Sequence, residues 1–221
     1  MSTTPESIGR QQLRYFSQVS ASISHELKNV LAILNENAGL LQDYATLAGQ
    51  GQPLDVQRIR RLSDTLQKQI GRGDAIVKRM NRFAHSADRT RASVDPDELA
   101  RLVCELFART AATRGVTVEV TSAEGERTLT TDPCALETLL GSLLDRLTAV
   151  LPAGSTLSIE LSGPADAVQI SLAGAAQRVG AAAEVLDEED IRALLTVLQA
   201  NMELNEAGDS LILTLPGTID A

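Results

Sequence analysis

Between Arg10 and Ala48 the chain has no proline, and apolar or small residues recur at Phe16, Ser20, Ile23, Leu27, Val30, Leu34, Asn37, Leu41, Tyr44 and Ala48. The alternating spacing of four and three is a heptad seam, with Ser20, Leu27, Leu34, Leu41 and Ala48 at a and the others at d. It predicts one helix of about ten turns at 3.6 residues per turn. The run GQGQP at Gly49 to Pro53 ends that helix, and a second is predicted from Leu54 to Ala87, with its seam at Ile59, Leu62, Leu66, Ile76, Met80 and Phe83. Together they predict a long antiparallel helical hairpin. A two-helix hairpin leaves part of each apolar stripe uncovered, and packing two copies into a dimeric four-helix bundle is the simplest way to bury them, so a homodimer is expected.

The pattern changes at SADRTRASVDPDELA, residues 86 to 100, which reads as a linker closing on a helix start: Asp95 as cap, Pro96 at the first helical position, acids in the first turn. This predicts two domains, residues 1–90 and 91–221. Beyond the linker, helical and alternating patterns interchange. The predicted order is helix Pro96 to Thr113, strand Val116 to Thr121, helix Pro133 to Leu151, strands Thr156 to Leu161 and Ala167 to Leu172, helix Glu188 to Asn201, and strands Glu203 to Leu204 and Ser210 to Leu215. The fold class is α+β, with the second domain an α/β sandwich, a mixed sheet covered on one face by helices.

Charge sharpens the division. The formal net charge is -9, from 20 basic and 29 acidic side chains, yet residues 1–90 hold twelve basic against eight acidic groups and residues 91–221 hold eight against twenty-one. This balance argues against nucleic acid as a ligand. All five aromatics, Tyr15, Phe16, Tyr44, Phe83 and Phe107, lie in the first half, so a ring-stacking site in the second is not expected. Cys104 and Cys134 sit in apolar contexts without CxxC spacing and read as small buried thiols. The polar N-terminus and the lack of a long apolar run lead to the expectation of a cytoplasmic chain with no membrane partner.

The stretch richest in chemistry is Ser24-His25-Glu26-Leu27-Lys28-Asn29. With Leu27 at a, His25 falls at f and Asn29 at c, so both point to water on the same side of the helix. An exposed helical histidine is ordinarily a solubility residue. Here Glu26 stands beside it to hydrogen-bond one imidazole nitrogen and keep the other nucleophilic, and the Asn29 amide lies within reach by i,i+4 spacing.

This HELKN run, the long hairpin and the α+β domain after it resemble the core of bacterial two-component histidine kinases: a HisKA-like dimerisation and histidine-phosphotransfer hairpin with its H-box, followed by a HATPase-like domain of the Bergerat type. The resemblance spans about residues 10 to 220. It implies that His25 is the phospho-acceptor, Glu26 the acid beside it, and Asn29 the amide used in dephosphorylating partners. Ile23, Leu27 and Lys28 would be partner-binding residues around the site. Val19 replaces the family's usual Phe, and Val30 a frequent helix-kinking Pro, so a straighter helix is expected.

The second domain departs from the family where a nucleotide should sit. The family's NLLxNA helix reads Ser142-Leu143-Leu144-Asp145-Arg146-Leu147 here, without either asparagine. The Asp-x-Gly-x-Gly loop that reads adenine is Ala173-Gly174-Ala175-Ala176-Gln177, and the phosphate-cradling lid is replaced by Ala183-Glu184-Val185-Leu186-Asp187-Glu188-Glu189-Asp190. Acids there would repel a triphosphate. The expectation is a degenerate ATPase-like domain, a pseudokinase, with no cofactor bound by this chain and Mg²⁺ held by a partner receiver domain.

His85 reads as an exposed helix-end residue, favoured there by the helix dipole. Arg58, Arg60, Arg61, Lys68, Arg72, Lys78, Arg79 and Arg82 make the second helix basic, either as a solvated face or as a dock for acidic receivers. The expected function is a standalone histidine phosphotransferase in a phosphorelay. It would shuttle a phosphoryl group between receiver-domain aspartates through His25, downstream of a histidine kinase or hybrid kinase. Two alternatives stay open: a divergent ATP-dependent histidine kinase or receiver phosphatase, and a non-catalytic receiver-binding scaffold.

Overall fold

Helix α1 runs from Pro5–Gly49 without a break and α2 from Val56–Ser86, joined by a turn in which Gly51 takes a left-handed φ of 84°. The structure, a computed structural model, describes residues 5–122, 127–163, 167–174 and 189–219. The chain divides into two compact units, Ser20–Arg82 and the combination of Met1–Val19 with Phe83–Ala221.

In the first unit the heptad seam buries Ile23, Val30 and Asn37 on α1 and Ile76 on α2. Gly73 faces Val30 across the seam, where a Cβ would stand at ordinary contact distance, 3.5 Å from Val30 Cγ1. Asn37 satisfies its own burial by donating from Nδ2 to the Ile33 carbonyl at 2.7 Å, the local back-bond open to a polar residue inside a helix.

The second unit contains β1 (Ala92–Val94), α3 (Pro96–Arg114), β2 (Thr117–Ser122), β3 (Leu129–Thr131) and α4 (Pro133–Val150). They are followed by β4 (Thr156–Ser162), β5 (Ala167–Ala173), α5 (Glu189–Val197), β6 (Asn201–Leu204) and β7 (Ser210–Pro216). The five-stranded sheet has the order β2-β4-β5-β7-β6. Its β2–β4 pair is parallel and the other pairs antiparallel, which makes the sheet mixed as expected. Alternate residues of the strands, among them Leu157, Ile159, Leu161, Ile170, Leu172 and Leu213, join the apolar faces of α3, α4 and α5 in one core. The intervening Ser158, Glu160 and Gln169 are exposed or half-buried. The fold is α+β, with helices on one face of the sheet.

Helix α4 is the centre of that core. Leu136, Leu139, Leu140, Leu143, Leu144 and Leu147 are all almost completely buried, each worth about 1.5–3 kcal/mol of apolar burial. A helix apolar on most sides must be covered on most sides, and part of the cover comes from the ends of the first two helices. A Cβ on Gly141 would stand only 2.2 Å from Tyr15 Cε2, so the tyrosine ring lies directly on the glycine. Phe83 meets Tyr15 edge-on at 5.6 Å and stacks on Phe16 at 5.6 Å. Ser86 Oγ donates to Oε2 of the buried Glu137 at 2.7 Å, and Gln11 Nε2 lies 3.5 Å from Ser142 Oγ.

Several expectations change here. Phe16, placed in the seam by the four-three spacing, is 42% exposed, while its neighbour Tyr15 is 7% exposed. The buried stripe at this end follows Gln11, Tyr15 and Val19, every fourth residue, and its first two members lie against Ser142 and Gly141 of α4. The residues read as pure linker and turn hold two short strands, β1 and β3, paired antiparallel with Ala92 opposite Thr131. The last helix is shorter than expected: Gln199 turns left-handed with φ 49°, and β6 begins at Asn201. Asp95 caps α3 as read, its carboxylate accepting from Asp97 N and Glu98 N, and Pro96 occupies the first turn.

Both cysteines are free and half-buried. Burial pushes the Cys104 thiol up to about 12 and the Cys134 thiol up to about 11. Since the thiolate is the reactive form, labelling at pH 8 should be roughly 100-fold slower in the folded chain than in denaturant. A disulfide-exchange colour assay measures this directly, and equal rates would contradict it.

Candidate functional site

Within the hairpin, the unbroken α1 sets the geometry of HELKN. Ile23 and Val30 are buried in the seam, at 5% and 3% exposure. One residue turns a helix by about 100°, so fixing Ile23 inward carries His25 outward. His25, Lys28 and Asn29 are exposed, while Glu26 and Leu27 are half-buried. His25 and Asn29 stand one turn apart on the same face. Ile23 thus lies beneath the site instead of on it, and the surface open to a partner is His25, Lys28, Asn29 and part of Leu27.

Glu26 points to the other helix. Its Oε2 accepts from Arg79 Nη2 of α2 at 3.2 Å, with only 17% and 24% of the two side chains exposed. Arg79 is one of the basic groups of α2 that residue type alone reads either as a solvated face or as a dock for acidic receivers. The neighbouring Lys78 fits that description better: it is 74% exposed and pairs with Asp74 on its own helix at 2.8 Å. Arg58 likewise pairs locally, with Asp55 at 3.5 Å. His85 is exposed at the end of α2, its Nδ1 2.8 Å from Asp88 Oδ2.

In the sheet unit, the two positions at which the resembled family carries the asparagines of its NLLxNA helix are occupied by Ser142 and Arg146. Ser142 faces Gln11. Arg146 extends to Asp190 in the first turn of α5, its Nη2 donating to Oδ2 at 3.0 Å and Oδ1 at 3.3 Å. Magnesium takes oxygen ligands, and a guanidinium already committed to a carboxylate supplies none. Arg146 therefore offers no ligand to a magnesium ion. The substituted adenine-loop residues 175–177 and lid residues 183–188 lie outside the described residues. No group of His, Cys, Asp and Glu that could hold a metal ion occurs among the described residues, and no described helix is long and apolar enough to cross a membrane.

No protein-family model matches the sequence, and no curated protein does either. Solved structures do resemble the fold. The catalytic domain of histidine kinase ThkA (TM1359) is 12% identical over 60% of this chain and the whole of that one, with a TM-score of 0.49. Histidine kinase AdeS of Acinetobacter baumannii is 16% identical over 89% of this chain and 98% of that one, with a TM-score of 0.45. ThkA in complex with the response regulator protein TrrA (TM1360) is 14% identical over 95% of this chain and 64% of that one, with a TM-score of 0.47.

Proposed function

We propose that the chain is a histidine phosphotransferase of a two-component phosphorelay, without ATP-dependent kinase activity of its own. The observation that carries this reading is the placement of His25: an imidazole exposed on an unbroken helix, with a fixed carboxylate at the next residue and an exposed amide one turn on. The lone pair of one imidazole nitrogen attacks the phosphorus of a receiver's aspartyl phosphate. A P–N bond forms as the acyl P–O bond breaks, and the receiver aspartate leaves as a carboxylate. The other ring nitrogen keeps its proton, and the resulting positive charge lies next to Glu26. Transfer to the aspartate of a second receiver reverses these steps.

Mg²⁺ in the receiver site would neutralise charge on the moving phosphoryl group. Lys28, exposed beside His25, suits receiver acids or the phosphoryl oxygens. Asn29 is placed to orient a water if the protein also dephosphorylates receivers. The committed Arg146 supports the absence of ATP chemistry and the expectation that this chain holds no cofactor. Upstream, the donor receiver would be charged by a histidine kinase or a hybrid kinase.

The working unit in this proposal is a homodimer. Outside the hairpin seam, α2 carries Val56, Ile70 and Val77 at heptad spacing, 66%, 60% and 44% exposed, and α1 adds Leu31 at 61%. A second apolar stripe with coiled-coil period suits a second copy of the hairpin. Light scattering should give a dimer mass, and Ile70→Glu with Val77→Glu should yield a folded monomer; a monomeric wild type would overturn this part.

Incubation with a ³²P-labelled receiver tests the main proposal. The label should appear on this chain as acid-labile, base-stable phosphate and pass to a second receiver. Label taken up from ATP alone would establish the kinase alternative, and receiver binding without any label on the chain would establish the scaffold.

A further inference from the structure

We infer that Arg79 is a positioning residue for this phosphotransfer, acting through Glu26; the inference rests on the phosphotransfer reading of His25. Residues 26 and 79 are 53 apart in sequence and meet at 3.2 Å, with both side chains more than three-quarters buried. Their environment separates this pair from the exposed ion pairs of α2, which contribute little. A carboxylate this far out of water needs a charged donor, and once paired it is held in one place.

What it is held beside is His25. Adjacent helical residues diverge by about 100°, so an unrestrained Glu26 side chain samples solvent as well as the seam. Arg79 removes that freedom by taking Oε2. The carboxylate is then set at the border between seam and surface, one residue along the helix from the imidazolium formed when His25 accepts phosphate. The other charged groups nearby are Lys28 on α1 and Asp74, Lys78 and Arg82 on α2. Lys28 is exposed and Lys78 is matched by Asp74. Arg79 thus sets the carboxylate and does not touch the phosphoryl group.

This assignment predicts a kinetic signature. In Arg79→Met the maximal rate of transfer from a phosphorylated receiver should fall about 10- to 100-fold, the scale of a misplaced catalytic group. The receiver concentration at half-maximal rate should not change. Arg79→Lys should recover most of the rate. The exchange of Glu26→Arg with Arg79→Glu should restore the melting temperature but not transfer, because no acid then follows His25.

A loss expressed only in the half-saturating concentration would make Arg79 a docking contact and overturn the inference. So would a swapped pair that transfers normally, which would make the contact merely structural, or an unimpaired Arg79→Met. Failure of the underlying reading looks different: the wild type takes no label, or His25→Ala still takes it, and either result removes the inference with it.

Discussion

Tyr15→Ala is expected to cost about 3–5 kcal/mol, the range for deleting a buried aromatic ring, while Tyr15→Phe is expected to be neutral or to stabilise by up to about 1 kcal/mol. The ring is 7% exposed, lies on Gly141 and meets Phe83 edge-on at 5.6 Å. Its removal leaves a void between the end of α1 and the most apolar helix of the molecule. The hydroxyl contributes differently. It is buried without a hydrogen-bond partner among the described residues, and burial, with Glu137 nearby, pushes its pKa up. An orphaned buried hydroxyl forfeits its hydration, so the variant that keeps the ring and drops the oxygen loses nothing it was gaining. Gly141→Ala tests the same contact from the other side, because the new Cβ would overlap the ring. Overpacking of about 1–3 kcal/mol outweighs the better helix propensity of alanine, worth about 1 kcal/mol. Urea unfolding of the three variants measures the signs, and a destabilised Tyr15→Phe would show that the hydroxyl is satisfied after all.

His25→Ala should abolish phosphoryl acceptance, roughly 1,000-fold or more below wild type, since it removes the imidazole nucleophile and the one other histidine of the chain is His85. The same change should leave stability within about 0.5 kcal/mol, because the imidazole is exposed and its backbone is mid-helix. A total loss of function with no loss of fold is the signature of a reacting group. His85→Ala serves as the matched control: its imidazole is also exposed on a helix, but stands beside Asp88 at the C-terminal end of α2, and transfer should persist. Asn29→Ala should retain transfer within about threefold and slow any loss of phosphate to water. The measurement is label on the chain after incubation with a phosphorylated receiver. Retention of label by His25→Ala, or its loss in His85→Ala, would place the acceptor elsewhere.

What the residues disclosed in advance was whatever local spacing determines. The hairpin, the Asp95–Pro96 start of α3, the alternating strands and the outward face of His25 and Asn29 all follow from helix and strand periods together with capping chemistry. Strands β1 and β3, three residues each, are too short to show a period of two. Tyr15 displaced Phe16 from the seam because the stripe at that end answers to α4, more than 120 positions away in the chain. The pairs that organise the two sites, Glu26 with Arg79 and Arg146 with Asp190, depend on tertiary placement. The first of these had a trace in the sequence. A hairpin turning between 49 and 55 brings position 26 opposite a residue near 79, so charge complementarity across that register was available once the turn was placed.

The seat of Tyr15 on Gly141 also dictates an order of events during synthesis. The hairpin joins segments close in sequence and can form early, bringing Phe83 to Tyr15, but the cover that Gly141 and Ser142 give Tyr15 and Gln11 emerges only when α4 is made. At about 5–20 residues per second, the apolar base of α1 waits on the order of ten seconds on the ribosome before its partner exists. During that interval its other recourse is the apolar base of α1 on a neighbouring nascent chain.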